Sequence, residues 1–166
     1  MSSDIKNWKQ RVTPVDSEDW KNFIAGACLG NYNGQDTTVK TLKPVLYYYY
    51  ALTSCSPINQ INVSFDVDHI IPKERFVGNT MITQTYRDSL INLALLPTKD
   101  NISKKAKALN EITDSWLKLQ ISSYTGIKEE KFEEYSDISN ITSLYNARRQ
   151  LFATAFTSNR TTTLSK

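Results

Sequence analysis

The chain is short of the residues that build most metal centres and redox sites. A single histidine, His69, excludes a cage of several imidazoles around a metal ion. The only cysteines, Cys28 and Cys55, lie too far apart for a CxxC zinc knuckle and are read as small buried hydrophobes. No apolar run approaches the roughly 18 to 20 residues that span a bilayer, and MSSDIKNWKQ lacks the hydrophobic stretch of a secretory signal. A cytoplasmic protein with no membrane partner is expected. The Asn-x-Ser/Thr sequons NVS, NIS, NIT and NRT arise by chance in a chain so rich in Asn, Ser and Thr.

Strong charge of one sign is also missing. The net charge is +3, unevenly placed: KDNISKKAK (99 to 107) holds four lysines against one aspartate, while KEEKFEEYSD (128 to 137) is acidic. The lysines fit a solvated helix face or a patch that meets phosphates. What the chain has in quantity is aromatic surface. Nine Tyr, six Phe and three Trp in 166 residues exclude a disordered chain. The length suits one core and is too short for two ordinary domains.

DSEDWKNFIAGACLG reads as a helix capped by Asp16 or Ser17, with Trp20, Phe23, Ile24, Ala27 and Cys28 on one face and Gly30 as its stop. NYNGQDTT is a polar loop. TLKPVLYYYYALTSC follows as a second helix, with Pro44 near its first turn and Leu42, Leu46 and Tyr49 or Tyr50 inward. Four consecutive tyrosines (47 to 50) cannot all face one way, so some must reach the surface as packed rings with a wet hydroxyl or as base-stacking platforms.

The period then changes to two. Val63, Phe65 and Val67 alternate with polar residues in a strand that runs into Asp68 and His69, and LINLALLP is a second apolar run of strand length ended by Pro97. The long polar connection KERFVGNTMITQTYRDS lies between them. From Asp100 a helical period returns, with Ile102, Ala106, Leu109, Ile112 or Thr113, Trp116 and Leu117 on one side. Glu129 to Tyr135 reads as a short acidic helix. SNITSLYNARRQLFATAF reads as a long one capped by Ser139 or Asn140, with Ile141, Leu144, Tyr145, Arg148, Leu151, Phe152, Ala155 and Phe156 in register. The expected fold class is α+β, mainly helical, around a small element in the order strand, loop, strand, helix.

That element carries the chemistry-bearing residues. Asp68 and His69 end the first strand, Asn92 stands at the second, and Asn101 opens the helix, at spacings of 23 from His69 to Asn92 and 9 from Asn92 to Asn101. With Pro72 after the histidine and Asn101-Ile102-Ser103-Lys104 opening a basic helix, DVDHIIP…LINLALLPTKDNISK resembles the HNH (His-Asn-His, ββα-metal) endonucleases. It is similar to the HNH domain of Cas9-type effectors and to the C-terminal nuclease domain of GmrSD-type modification-dependent restriction enzymes. The resemblance runs from about Phe65 to Ala108, a quarter of the chain.

The resemblance implies one HNH nuclease domain over 1-166, its ββα-metal core at about 62-119 braced by helices at 16-55 and 128-158. It implies DNA phosphodiester hydrolysis, with nicking by a monomer. Such a reaction needs a nucleophile made from water and neutralisation of charge on the phosphoryl and leaving oxygens. A hard cation that keeps several waters needs only one or two protein oxygens. Asp68 and Asn101 would supply them to Mg²⁺ or Mn²⁺. His69, on the other side of an extended backbone, would face the attacking water as general base. The resemblance assigns Asn92 to holding the loop after the histidine through side-chain to backbone bonds, and Lys104 to a phosphate. Lys73, Lys105 and Lys107 are further candidates for DNA backbone contacts. Arg148, Arg149 and Arg160 are candidates for guiding DNA, although Arg148 on an apolar face could pair with an acidic neighbour instead.

The chain departs from the family in having Asn101 where His is common, Asp68 where restriction-type relatives carry Glu, and no flanking zinc cysteines. Partners implied by the resemblance are DNA and a sensor or nucleotide-hydrolysing domain, in the same chain or a partner subunit. The chain would then be one fragment of a larger restriction protein in phage defence. The alternative from a different class is a catalytically degenerate helical module that binds DNA or protein.

Overall fold

A computed structural model describes residues 17–53, 63–79 and 84–158. Helix α1, Ser17–Leu29, buries Ile24, Ala27 and Cys28. Burial pushes the Cys28 thiol up to about 12, so it packs as a small hydrophobe. Cys55, like the Asp16 cap, lies outside the described residues. Gly30 ends α1 with φ +78°, where a Cβ would stand 2.1 Å from the Thr85 carbonyl oxygen. Both the left-handed backbone and the close approach of the Thr85 segment therefore require glycine there.

The stretch read as a polar loop contains a two-residue-strand hairpin. Asn31–Tyr32 (β1) pairs with Gln35–Asp36 (β2), turning through Asn33 and Gly34, both at positive φ. Helix α2, Val39–Leu52, starts earlier than the periodicity predicts because Thr38 and Thr41 form a reciprocal cap. Pro44 consequently falls in its second turn rather than its first. Leu42, Leu46, Tyr49 and Tyr50 face the core, and Tyr48 turns outward to stack on Trp20 and Phe156. The tetra-tyrosine run thus splits between core and surface, as helical geometry demands.

Strand β3, Phe65–His69, pairs antiparallel with β4, Leu93–Pro97, in a register from Phe65 opposite Pro97 to His69 opposite Leu93. Val63 lies before β3 and is exposed, whereas Asp68 is buried, so the simple alternation does not hold. Leu90–Asn92 is a single 3₁₀ turn that feeds β4, and Leu93 through Leu96 are all buried. Helices pack against β4, and the burial of four successive residues matches its unbroken apolar run. Helix α3, Thr98–Lys104, follows at once.

The long helix expected from Asp100 onward is broken. Lys105 takes φ +56° and ends α3, Leu109–Glu111 forms a 3₁₀ turn, and α4 restarts at Ser115–Thr125. Asp114 caps α4 by accepting from the Leu117 N–H at 2.7 Å. The break rotates the two halves out of phase. Ile102 and Trp116 are 65% and 63% exposed instead of inward, while Leu109, Ile112 and Leu117 are buried. Helix α5, Phe132–Ser136, and the long α6, Ile141–Ser158, complete the fold. The 3₁₀ turn before α6 is capped by Asp137, which accepts from Ser139 N–H, rather than by Ser139 or Asn140 side chains.

The result is mixed α+β and mostly helical: α1, α2 and α6 pack on one another through aromatic rings, and α2 and α4 both pack on β4, with Tyr50 of α2 against Tyr124 of α4. Among the described residues no helix is long and apolar enough to cross a membrane.

Candidate functional site around His69

The β3–β4 pair places His69 where the strand hands over to a tight turn. Ile70 N–H donates to the Asn92 carbonyl at 2.8 Å, extending the ladder by one residue. The Asn92 side chain then takes over. Its Oδ1 accepts from Ile71 N–H at 2.8 Å, and its Nδ2 donates to the Ile71 carbonyl at 3.1 Å and to the Arg87 carbonyl at 3.0 Å. Asn92 is fully buried, so these bonds replace water that cannot reach the backbone groups. One amide therefore ties down the loop after His69 and, at the same time, the residue before Asp88.

Asp68 points to the other side of β3 and meets Lys104, the last residue of α3. Lys104 Nζ stands 3.0 Å from Asp68 Oδ2 and donates to the His69 carbonyl at 2.9 Å. The Lys104 side chain is 1% exposed, so an ammonium sits where an apolar core residue would otherwise be. Burial raises the Asp68 carboxyl above its ordinary range, against the opposing pull of Lys104. The resemblance assigns Lys104 to a phosphate. Its ammonium instead spends its donors on Asp68 and the β3 backbone, because the seven-residue α3 ends by turning this side chain under the strand.

The His69 ring meets a carboxylate that neither periodicity nor the resemblance marks. Its Nε2 lies 2.8 Å from Asp88 Oδ1. Arg87 donates to the other oxygen of Asp88 through Nε at 2.9 Å and Nη2 at 2.8 Å, and Thr37 Oγ1 donates to the Asp88 carbonyl at 2.9 Å. Burial pulls the imidazole below its ordinary value, with Asp88 opposing and Lys73 adding to the shift. For Asp88, burial pushes up, but the bonds from His69 and Arg87 outweigh it and hold the carboxyl below its usual range. An ionised carboxylate thus faces a mostly neutral imidazole near pH 7.

Asp68, His69, Lys73, Lys104 and Lys105 line one open cleft of about 220 Å³, together with Pro72 and Glu74. Asn101 is half-buried on α3, three residues before Lys104 and so on the same side of that helix. Lys107 lines a separate hollow of about 340 Å³ with Lys99, Asp100 and Trp116, away from His69. Among the described residues no group of three or more His, Cys, Asp or Glu side chains is arranged to hold a metal ion.

Arg148 braces the site from behind. It is fully buried, and its hydrogen-bond partners are backbone carbonyls rather than a carboxylate: Nε donates to Ile91 at 3.2 Å, Nη2 to Leu93 at 2.7 Å, and Nη1 to Thr125. The first two straddle Asn92. Phe152 covers the guanidinium at 4.8 Å. Arg149 lies over the Tyr145 ring, and Arg160 is outside the described residues.

Asp88 and Arg87 were missed because they fall in the long connection, where no periodicity marks them. The available signal was a carboxylate four residues before Asn92, at the mouth of the strand that pairs with the histidine. No protein-family model, curated protein or solved structure matches the chain.

Proposed function

We propose that this chain is a metal-dependent endonuclease domain of the HNH kind that hydrolyses DNA phosphodiester bonds. The observation that carries the reading is the Asn92 clasp on both the N–H and the carbonyl of Ile71, two residues past the lone histidine. Any buried turn needs partners for its backbone groups; one amide that meets both groups of Ile71 also fixes the angle of the histidine two residues before it. A mostly neutral His69 beside a cleft lined by Lys73 and Lys105 suits proton acceptance next to a phosphate.

In the proposed step, His69 takes a proton from water as the water oxygen bonds to phosphorus. One ester P–O bond breaks, its electron pair stays with the departing oxygen, and that oxygen is protonated from solvent. His69 then returns its proton to solvent. Asp68 and Asn101 would hold Mg²⁺ or Mn²⁺. Their donor set of one carboxylate and one amide oxygen fits only a hard ion that keeps most of its water shell, and Lys104 already competes for that carboxylate. When bound, such an ion neutralises charge on the phosphoryl and leaving oxygens. Lys73 and Lys105 would meet the DNA backbone, and Asn92 holds the base in place. One site cuts one strand, so a monomer nicks. The biological setting most consistent with this reading is a cytoplasmic restriction or phage-defence effector directed by a sensor or nucleotide-hydrolysing partner domain.

The Lys104 ion pair on Asp68 favours a second reading, a helical DNA-binding or protein-interaction module that no longer cuts. Supercoiled plasmid incubated with the protein and Mg²⁺ or Mn²⁺ separates them. Relaxation in the parent and its loss in His69→Ala, with folding and DNA retention intact, supports the nuclease. Absence of relaxation in either metal, with no Mn²⁺ heat on calorimetric titration, supports the module.

A further inference from the structure

We infer that Asp88 is a positioning residue for His69: its carboxylate takes the proton-bearing Nε2 of the ring and leaves Nδ1 as the bare nitrogen that accepts a proton. An ionised carboxylate can only accept, so the 2.8 Å contact from Asp88 Oδ1 assigns the hydrogen to Nε2. The neutral imidazole has one N–H to give, and its other nitrogen becomes the acceptor.

Asp88 is itself held at its carboxylate, at its own carbonyl and through the residue before it. Arg87 places two N–H groups on Oδ2, Thr37 from the segment after β2 holds the Asp88 carbonyl, and Asn92 holds the Arg87 carbonyl. A surface ion pair formed by chance has no such support. The charged groups beside the ring or lining its cleft are Asp88 and Arg87 on the 3₁₀ turn Gln84–Asp88, Lys73 and Glu74 on the turn Lys73–Phe76, Asp68 beside it on β3, Lys104 under its carbonyl and Lys105 after α3. Of these, only Asp88 bonds a ring nitrogen among the described contacts. Carboxylates behind catalytic or metal-bound imidazoles act in this way, by setting tautomer and ring angle. The catalytic half of the inference rests on the proposed nuclease reading; the tautomer half stands without it.

The single histidine makes the test clean, since a long-range ¹H–¹⁵N correlation spectrum of the labelled protein contains one imidazole. Recorded where the ring is neutral, the parent should show one tautomer with its proton on Nε2. Asp88→Ala should show a mixture, and Asp88→Asn should keep part of the preference, because its Oδ1 still accepts. A parent ring protonated on Nδ1 overturns the inference, and that spectrum decides the point even where Asp88→Ala does not fold. In the plasmid assay Asp88→Ala should lower kcat by about 10- to 100-fold with little change in KM, and Asp88→Asn should recover part of the loss. Unchanged kcat beside a mixed tautomer overturns the catalytic half. A parent that never cuts defeats the nuclease reading alone, and the ring spectrum still decides what Asp88 does.

Discussion

Replacing Asn92 with alanine removes three hydrogen bonds at once and leaves Ile71 N–H, Ile71 carbonyl and Arg87 carbonyl without their partner in a site sealed from solvent. Each buried backbone group left unmet costs about 1 to 3 kcal/mol. The costs do not add fully, because a carbonyl keeps a second lone pair and a water can enter the space left behind, so a loss of about 3 to 5 kcal/mol is expected. That is a large share of the roughly 5 to 15 kcal/mol that holds a small domain together. Urea unfolding followed by tryptophan fluorescence, at constant m, measures it. Asn92→Asp gives a sharper arm. It preserves volume and the Oδ1 acceptor, but sets a carboxylate oxygen against two carbonyls at 3.1 and 3.0 Å. The charged form is then penalised in the fold, which raises the folded pKa of this carboxyl above its unfolded value. Stability of Asn92→Asp should therefore fall as pH rises through that window and recover on acidification, relative to the parent. A loss below about 1 kcal/mol in Asn92→Ala would refute the claim that this amide carries the turn.

Lys104→Met strands the buried Asp68 carboxylate and should cost about 3 to 5 kcal/mol near neutral pH. Because burial already raises the Asp68 carboxyl and removal of Lys104 raises it further, that deficit should narrow as pH falls, read as the gap between parent and variant urea midpoints. If Asp68 also serves a divalent ion, millimolar Mg²⁺ should raise the Lys104→Met midpoint more than that of the parent, and an equal response counts against Asp68 as a metal-bearing residue. Arg148→Met removes three bonds to buried carbonyls, partly offset by relief of a buried charge, and should lower stability by at least about 2 kcal/mol; Arg148→Lys should rescue little, since one ammonium cannot reproduce the planar fork. A near-neutral Arg148→Met would show that the carbonyls find other partners.

What was legible in the sequence was whatever a local pattern encodes. The faces of α1, α2 and α6 follow from helical spacing, and the strand leading into Asp68 and His69 follows from the change of period. The role of Asn92 as a tether of the loop came through the resemblance and agrees with its three backbone bonds. Patterns failed where a single residue changes the geometry. Lys105 at positive φ splits what reads as one helix, so Trp116 falls on the surface and Lys104 beneath the strand. Asp88 had no periodic neighbourhood to mark it, and its partner His69 lies 19 residues away, across residues that no short-range rule connects. Arg148 sits in register on an apolar face, and its position alone could not tell a carbonyl brace from an ion pair.

Polar groups buried in this domain are concentrated around one short stretch of backbone, and their order in space suggests why. Arg148 on α6 grips the carbonyls on either side of Asn92; Asn92 grips the backbone beyond His69 and before Asp88; Asp88 grips the ring. The first two links are hydrogen bonds from buried side chains to backbone, and the third joins two half-buried side chains, so a displacement at one level is passed to the next. Stability alone accounts for part of this, because the backbone groups that Arg148 and Asn92 meet would lose their partners beside apolar residues, although burying a guanidinium and an ammonium costs solvation that hydrophobic packing does not. What an apolar core cannot do is hold one imidazole at one angle with one nitrogen bare. The pattern of burial therefore argues for geometry under constraint, and it places that constraint on His69.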